Sequence, residues 1–360
     1  MEAKKKTISV LMLPWLAHGH TSPYLELAKK LADRDFHIYL CSTPINLNYS
    51  VKQSVIEKYS QSIELVELHL PSFPNRPPRY HTTNGLPSHL MRTLKDAFKM
   101  AAPKFSEILQ ALNPDLVIYD YNQPWAADFA SSLNIPAVVF IIYSVATVSW
   151  IVHLFENIEE KFLFPEIYLR EYEMLPIMKN IDEIPDHEKF TLSDTLRRSR
   201  DIVLVKAYRD FEGKYMDYLS NIFSKKIVPL GSLVQQSIDQ DDHEEIKQWL
   251  DLKEKSSTIF FSFGSFHKAK ILVCKMHYRK GISEKAVEYI GAAVEAGRDK
   301  DGNLQSEEIA KAIRKVVASE ESGEAVRKKV KKLSEMMTAK GDEEIMDGVA
   351  QELVALCRKK

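Results

Sequence analysis

Two residues capable of acid–base chemistry follow apolar segments that have the length of buried strands. His20 lies shortly after residues 8–12, and Asp120 directly follows residues 116–119. In an open sheet of parallel strands, the carboxyl ends meet at one edge, and ligands bind there. A carboxylate on one imidazole nitrogen fixes the tautomer and stabilises the imidazolium that forms when the other nitrogen accepts a proton. The spacing therefore favours a general-base pair that would deprotonate a hydroxyl group.

The segment between the first strand and the next helix narrows this interpretation. Residues 14–23 (PWLAHGHTSP) contain no G-x-G-x-x-G pattern, so a dinucleotide cofactor is not predicted. Pro23 is predicted to begin the helix, with Ser22 as its N-cap, which would leave His20 just before the helix. From the spacing alone, the alternative is that His20 only packs against this helix and Asp120 only ends its strand.

The elements that must position this pair alternate between short β-rich segments and longer helical patterns, which is typical of parallel βαβ units. If the strand order is 3-2-1-4-5, strands one and four are neighbours, so that His20 and Asp120 can meet. The predicted strands are residues 8–12, 37–41, 63–68, 116–119, 137–142, 202–205 and 226–229. The predicted helices of this half are residues 24–32, 50–58, 90–112, 125–132 and 145–155. Residues 71–78 contain four prolines and predict a long loop, a candidate wall of a ligand pocket.

The composition is that of an ordinary globular protein and argues against several functional classes. With 49 Lys+Arg, 50 Asp+Glu and a net charge of −1, the chain has no overall field that would attract nucleic acid or an anionic membrane. The three cysteines show no C-x-x-C spacing, so neither a disulfide framework nor a cysteine metal site is predicted. The longest apolar stretch, 137–152, is too short for a membrane span, and residues 1–13 lack a signal-peptide cleavage pattern. We therefore expect a cytoplasmic protein with no nucleic-acid partner and no membrane span.

The chain changes character after residue 234. Residues 235–245 are polar, acidic and aperiodic, and they are predicted to be an interdomain linker. A doubly wound domain needs about five or six strands, and residues 246–360 offer only two or three candidates. The second domain is therefore predicted to be shortened. Its predicted strands are 258–263 and 271–274, and the helices predicted after residue 243 are 244–252, 284–290, 307–317, 324–338 and 343–357.

Five motifs identify a resemblance to a known family. They are residues 11–23 (LMLPWLAHGHTSP), 37–44 (HIYLCSTP), 114–120 (PDLVIYD), 211–215 (FEGKY) and 261–265 (FSFGS). Together they resemble the plant family 1 UDP-sugar glycosyltransferases, specifically the branch that adds a sugar to an existing sugar of a small-molecule glycoside.

The resemblance implies the GT-B fold, an α/β architecture of two Rossmann-like domains of which the C-terminal one is truncated here. Residues 1–234 would form the acceptor-binding domain and residues 246–360 the shortened donor-binding domain. The last helix, at about 343–357, would pack back on the N-terminal domain.

The resemblance also implies roles for single residues. In that family, the histidine of the Gly-His pair activates the acceptor hydroxyl, and the aspartate after strand four orients it. These roles would fall on His20 and Asp120, with His18 as a nearby, weaker candidate. The reaction would be direct displacement at the anomeric carbon with inversion, and no metal is implied. Ser265, with Gly264, lies where the family binds the donor diphosphate, although a serine that merely ends a strand is the alternative.

Two aromatic residues follow the same two strands. Trp15 and Tyr121 are candidates to line the acceptor pocket, because the first follows strand one and the second follows Asp120. Core packing is the equal alternative for aromatic residues at strand ends.

The sequence departs from the family in the donor half. The family carries W-x-P-Q and H-C-G-W-N-S segments and a terminal D/E-Q, but no tryptophan follows Trp249 in this chain. Residues 266–280 stand where these motifs belong, and the D/E-Q positions would be Arg279 and Lys280. The missing groups stack on uracil and bind phosphate, so we predict that nucleotide affinity falls by several orders of magnitude.

The sequence thus predicts an inverting UDP-glycosyltransferase that transfers a hexose, glucose in the first instance, from a UDP-sugar. The acceptor would be a hydroxyl of a small-molecule plant glycoside of the flavonoid, terpenoid or apocarotenoid class. The UDP-sugar is the co-substrate, no further cofactor is implied, and we expect a monomer. The alternative is a catalytically inactive relative, or a mis-spliced product, that keeps only the acceptor pocket.

Overall fold

The computed structural model groups the chain into two compact units. The first contains Met1–Glu160, Pro185–Val234 and Lys340–Lys360, and the second contains Lys161–Ile184 and Gln235–Ala339. Residues 161–184, which the sequence analysis assigned to the first domain, thus cluster with the second unit. The structure describes residues 7–56, 58–71, 78–156, 160–175, 191–233, 244–253, 285, 287–317, 321–339 and 342–358. The predicted strands 258–263 and 271–274 and most of the predicted linker lie outside these ranges.

The first unit is built on one parallel sheet of seven strands. The strands are β1 (Ile8–Leu13), β2 (Phe36–Ser42), β3 (Ile63–Glu67), β4 (Leu116–Tyr119), β5 (Ala137–Ile141), β6 (Ile202–Val205) and β7 (Lys226–Pro229). Their order is β3-β2-β1-β4-β5-β6-β7, and every neighbouring pair is parallel. The predicted order of the first five strands is therefore confirmed.

Helices follow most of the strands, as the alternating pattern predicted, and α9, α10 and α11 belong to the second unit. The helices are α1 (His18–Ala32), α2 (Tyr49–Ile56), α3 (Met91–Met100), α4 (Ala102–Leu112), α5 (Pro124–Ser132), α6 (Val145–Glu156), α7 (Thr191–Arg198), α8 (Arg209–Phe223), α9 (Glu244–Asp251), α10 (Ser306–Val317), α11 (Glu321–Ala339) and α12 (Asp342–Arg358). The helices predicted at 244–252, 307–317 and 324–338 are thus confirmed.

The core lies where the central strands are covered by helices. Every residue of β4 and β5 is buried, as expected for apolar strands in a sheet with two covered faces. On one face, Met12 and Ile118 of the sheet pack in the same cluster as Leu27 of α1 and Leu353 of α12. The apolar faces of the first and last helices therefore share one core with β1 and β4.

Helix α1 begins earlier than predicted. Ala17, not Ser22, is the N-cap, and it makes no side-chain capping bond. The carbonyl of Ala17 instead accepts hydrogen bonds from the backbone N–H groups of His20 and Thr21, each at 2.9 Å. Pro23 is tolerated near the start of the helix, where its missing N–H leaves few backbone bonds unmade. The prediction that His20 precedes the helix was wrong, because His20 lies in the first turn.

The predicted helix 90–112 is two helices, α3 and α4. Ala101, with φ −81° and ψ −1°, separates them. Pro103 lies in the first turn of α4, where a helix does not need its N–H. The apolar periodicity runs through both helices and does not reveal the break.

The first turn of α6 is held by a carboxylate from α8. Glu212 Oε1 accepts hydrogen bonds from the Ser144 hydroxyl at 2.7 Å and from the Ala146 backbone N–H at 3.0 Å. Free N–H groups and the positive end of the dipole make a helix N-terminus a favourable place for a carboxylate. Glu212 therefore fixes the segment that joins β5 to α6.

Polar contacts also tie α12 to the end of α1. Arg34 donates from Nε to Asp347 at 2.8 Å and from Nη2 to the Glu343 carboxylate at 2.7 Å. Lys226 of β7 lies 2.5 Å from the Glu352 carboxylate. Together with the buried Leu353, these contacts attach α12 to the first unit.

The described part of the second unit is held together by ion pairs. The Arg170 guanidinium binds both carboxylate oxygens of Glu295, at 2.5 and 2.6 Å. The ammonium group of Lys285 lies 3.1 Å from the Glu173 carboxylate, and both side chains are largely buried. Helix α10, by contrast, contributes no buried residue among those described.

Changing Glu212→Gln tests the cost of the buried carboxyl. Burial raises the pKa of Glu212 above its ordinary value of 4.5, while the hydrogen bonds to Ala146 and Ser144 oppose the rise. Because the folded pKa exceeds the unfolded one, this group's stabilisation is complete below the unfolded pKa and is lost as pH rises through the folded pKa. Glutamine keeps the carbonyl acceptor and does not ionise. We expect the variant's free energy of unfolding to gain on the wild type as pH rises from about 4.5, and then to level off.

Urea unfolding at a series of pH values measures this difference. Asp210→Asn, which removes an exposed carboxyl from the same helix, is the matched control. Parallel pH profiles for the wild type and the glutamine variant would contradict the expectation.

Changing Leu353→Ala tests the packing of α12. Leu353 has no exposed surface and lies in the shared core, so its truncation should leave a cavity that lowers the free energy of unfolding by about 2–5 kcal/mol. Denaturant unfolding measures the change. Gln351→Ala, on the exposed side of the same helix, should cost less than about 0.5 kcal/mol. Equal effects of the two substitutions would mean that α12 is not docked as the structure has it.

Candidate functional site

The register of the sheet brings His20 and Asp120 together. Leu13 and Tyr119, the last residues of β1 and β4, are paired neighbours, so the segments that follow leave the sheet at one edge. His20 Nδ1 lies 2.6 Å from Asp120 Oδ2. Asp120 has no exposed surface and His20 is only 6% exposed. A carboxylate only accepts hydrogen bonds, so Nδ1 carries the hydrogen and Nε2 is left with a lone pair.

Other bonds fix the Asp120 carboxylate. Its Oδ1 accepts from the backbone N–H of Asn122 at 3.2 Å and from the Asn122 side-chain amide at 3.1 Å. The Asp120 backbone N–H donates to the Leu13 carbonyl at 3.1 Å, which continues the β1–β4 ladder past the end of the strand. The carboxylate is therefore held by both its backbone and its second oxygen, with Oδ2 directed at His20.

Two tyrosines lie on the other side of the imidazole. The Tyr143 hydroxyl is 3.1 Å from His20 Nε2, and the two rings meet edge to face with centroids 5.6 Å apart. The Tyr121 ring lies 6.4 Å from the His20 ring and 5.5 Å from the Tyr143 ring. The arrangement offers a neutral imidazole with an oriented lone pair, which suits the removal of a proton from a hydroxyl.

The structure separates the remaining predicted site residues. Tyr121 lies beside His20, as described above. Trp15 is 7% exposed and packs on Phe98, with ring centroids 5.6 Å apart, so the structure favours the core-packing alternative for this residue. His18 is exposed at the first position of α1. Ser265 and Gly264 lie outside the described residues.

The described end of the proline-containing loop is anchored near the same sheet edge. The Thr43 hydroxyl donates to the His81 carbonyl at 2.8 Å, and the Thr82 hydroxyl donates to the Asn46 side-chain oxygen at 2.8 Å. The Thr83 backbone N–H donates to the carbonyl of Leu16, in the segment that precedes α1, at 2.8 Å. Residues 81–83 are thus fixed against the segments that follow β1 and β2.

The sequence analysis missed three residues that contact or support the site. Asn122 lies two residues after Asp120, and Tyr143 lies two residues after the end of β5, the strand next to β4. Extending the carboxyl-edge rule to β5 would have identified Tyr143. Glu212 stands in the FEGKY motif, but only the folded structure shows that its carboxylate lies at the start of α6.

The described residues contain no group of three or more His, Cys, Asp or Glu side chains placed to hold a metal ion. Among these residues, no helix has both the length and the apolar character needed to cross a membrane.

Comparison with known proteins gives the same picture over the whole chain. The model of the glycosyltransferase N-terminal domain family matches residues 6–234. UDP-glucosyltransferase 29 of Panax ginseng is 38% identical over 447 aligned residues, which cover 100% of this chain and 99% of that protein. The cyanidin-3-O-glucoside 2-O-glucuronosyltransferase of Bellis perennis is 37% identical, with 98% of each chain covered. Because this chain has 360 residues, its shorter length comes from gaps inside the first alignment and not from its ends.

Solved structures agree on the fold. The crystal structure of Glycyrrhiza uralensis UGT73P12, complexed with glycyrrhetinic acid 3-O-monoglucuronide, matches with a TM-score of 0.78 and 15% identity. The match covers 98% of this chain and 97% of that one. The parallel sheet, the family model and the relatives together show that this chain belongs to the plant family 1 UDP-glycosyltransferases, which have the GT-B fold and use a UDP-sugar as co-substrate.

Proposed function

We propose that this UDP-glycosyltransferase transfers glucose, with inversion, from UDP-glucose to a sugar hydroxyl of a small-molecule plant glycoside. The observation that carries the proposal is the 2.6 Å hydrogen bond between His20 Nδ1 and Asp120 Oδ2 at the carboxyl edge of the sheet. The Bellis perennis relative, whose name states that its acceptor is already a glucoside, supports a glycoside acceptor.

In this proposal, His20 Nε2 removes the proton of the acceptor hydroxyl as its oxygen attacks the anomeric carbon. The new carbon–oxygen bond forms on the face opposite the bond to UDP, and UDP leaves with the bonding electron pair through an oxocarbenium-like transition state. The imidazolium that forms is stabilised by the Asp120 carboxylate at Nδ1. The proton thus passes from the acceptor to His20.

The acceptor would lie against the exposed side of this pair. Tyr121 is placed to contact it, because its ring lies beside both His20 and Tyr143. His18, exposed on the first turn of α1, is a second candidate contact. Trp15 would support the pocket from behind, since it packs on Phe98.

We further propose that residues 1–234 bind the acceptor and residues 246–360 form the shortened donor-binding domain. Ser265 and Gly264 would contact the donor diphosphate. The protein is proposed to act as a monomer in the cytoplasm, because its near-zero net charge offers no field that would attract it to anionic membranes.

A second candidate function is a binding module that keeps the acceptor pocket without transfer. The observation that favours it is the absence of the W-x-P-Q and H-C-G-W-N-S segments from residues 266–280. Loss of base stacking removes about 1–3 kcal/mol of binding free energy, and loss of the phosphate contacts removes more.

Changing His20→Ala tests the proposed base. A general base contributes about 10²–10⁴-fold to rate, so we expect glucose transfer to fall by that factor. Asp120→Asn keeps the shape of the side chain but no longer stabilises the imidazolium, and we expect a loss in the same range. Mass spectrometry of the product formed from cyanidin 3-O-glucoside and millimolar UDP-glucose measures both. His69→Ala, at an exposed histidine, is the matched control. Unchanged turnover in the His20 variant would remove the pair from the mechanism.

Calorimetric titration with UDP tests the donor side. Because the stacking tryptophan and the phosphate-binding segment are missing, we expect a dissociation constant in the millimolar range or weaker. Transfer would then require UDP-glucose at similar concentrations. Micromolar binding would contradict the predicted loss and would argue against the binding-module alternative.

A further inference from the structure

The lone pair of His20 that the proposed reaction needs is already occupied. Nδ1 donates to Asp120, so Nε2 accepts, and the Tyr143 hydroxyl donates to it at 3.1 Å. A general base must lie about 2.6–3.2 Å from the oxygen whose proton it removes. The Tyr143 oxygen therefore stands where the oxygen of an acceptor hydroxyl has to be.

The two hydroxyls cannot share this site. An imidazole nitrogen has one lone pair, in the plane of the ring, and it accepts one good hydrogen bond along that direction. When an acceptor hydroxyl reaches Nε2, the Tyr143 hydroxyl must leave. Acceptor binding is then an exchange of one hydrogen bond for another.

The surroundings of Tyr143 allow its ring to move while its backbone stays in place. The next residue, Ser144, is bonded to Glu212 at 2.7 Å, which fixes the chain at the start of α6. The Tyr143 side chain is only half-buried, and the ring contacts His20 and Tyr121 by their edges or faces without covalent or ionic restraint. A rotation about the side-chain bonds is enough to release Nε2.

We infer that Tyr143 is a positioning residue whose hydroxyl stands in for the acceptor hydroxyl at His20 Nε2 in the resting protein. The inference rests on the proposed function, because it assigns Tyr143 a place in the same site. The tyrosine keeps the imidazole in the tautomer and orientation that the reaction uses, and it keeps other hydrogen-bond donors off the lone pair. An acceptor must therefore bind well enough to replace an internal hydrogen bond, which disfavours weakly held alcohols and water.

Changing Tyr143→Phe removes the competing hydroxyl and keeps the ring. We expect cyanidin 3-O-glucoside to bind about 2- to 10-fold more tightly, the equivalent of one net hydrogen bond, with kcat for transfer changed less than about 3-fold. Tyr218→Phe is the matched control, because the Tyr218 hydroxyl bonds to a different histidine, His153, at 2.8 Å. Titration calorimetry gives the affinity, and steady-state kinetics give kcat and KM separately.

The ¹⁵N resonance of His20 Nε2 reports the resting hydrogen bond directly, whether or not the chain transfers sugar. We expect this resonance to move in Tyr143→Phe toward the position of a free imidazole lone pair and to stay in place in Tyr218→Phe. An unmoved resonance would overturn the inference, as would an unchanged acceptor affinity. A collapse of kcat by 100-fold or more in Tyr143→Phe would replace displacement with a proton relay through the tyrosine. If the wild type transfers no sugar but the resonance moves as expected, the proposed function fails and the resting contact stands.

Discussion

A carboxylate with no exposed surface must receive hydrogen bonds, because an unpaired buried charge costs far more than a small domain can supply. Asp120 is such a group, and its partners are the imidazole of His20 and both nitrogens of Asn122. This requirement couples two segments that are a hundred residues apart in sequence. The pairing of Leu13 with Tyr119 brings them to the same edge, and the first turn of α1 then directs the imidazole at the carboxylate.

The elements around the pair fix it from several directions. Helix α1, which carries His20, packs through Leu27 into the core that α12 completes with Leu353, and Arg34 ties the two helices together at their ends. On the other side, Glu212 fixes the segment that carries Tyr143. The catalytic geometry proposed for this chain thus depends only on contacts within the first unit, although the donor must come from the second.

Much of this first unit could be predicted from the sequence, for physical reasons. Strands such as β4 and β5 are apolar throughout because both faces of the sheet are covered, and that pattern is visible in one sequence. The pairing of His20 with Asp120 followed from the rule that ligands bind at the carboxyl edge of a parallel sheet. The start of α1 could not be predicted, because Ala17 caps it through its backbone and leaves no side-chain signal. The contacts of Tyr143 and Glu212 depend on tertiary packing between segments whose spacing carries no motif.

The most direct test of the proposed site is the proton on His20 Nδ1. A hydrogen bond of 2.6 Å to a buried carboxylate should hold this proton in slow exchange and move its NMR resonance far downfield, coupled to nitrogen in ¹⁵N-labelled protein. We expect this resonance in the wild type, its absence in His20→Gln, and a shift toward the ordinary imidazole range in Asp120→Asn. A wild-type spectrum without it, or one that Asp120→Asn leaves unchanged, would contradict the assignment of His20 and Asp120 as a preorganised base pair.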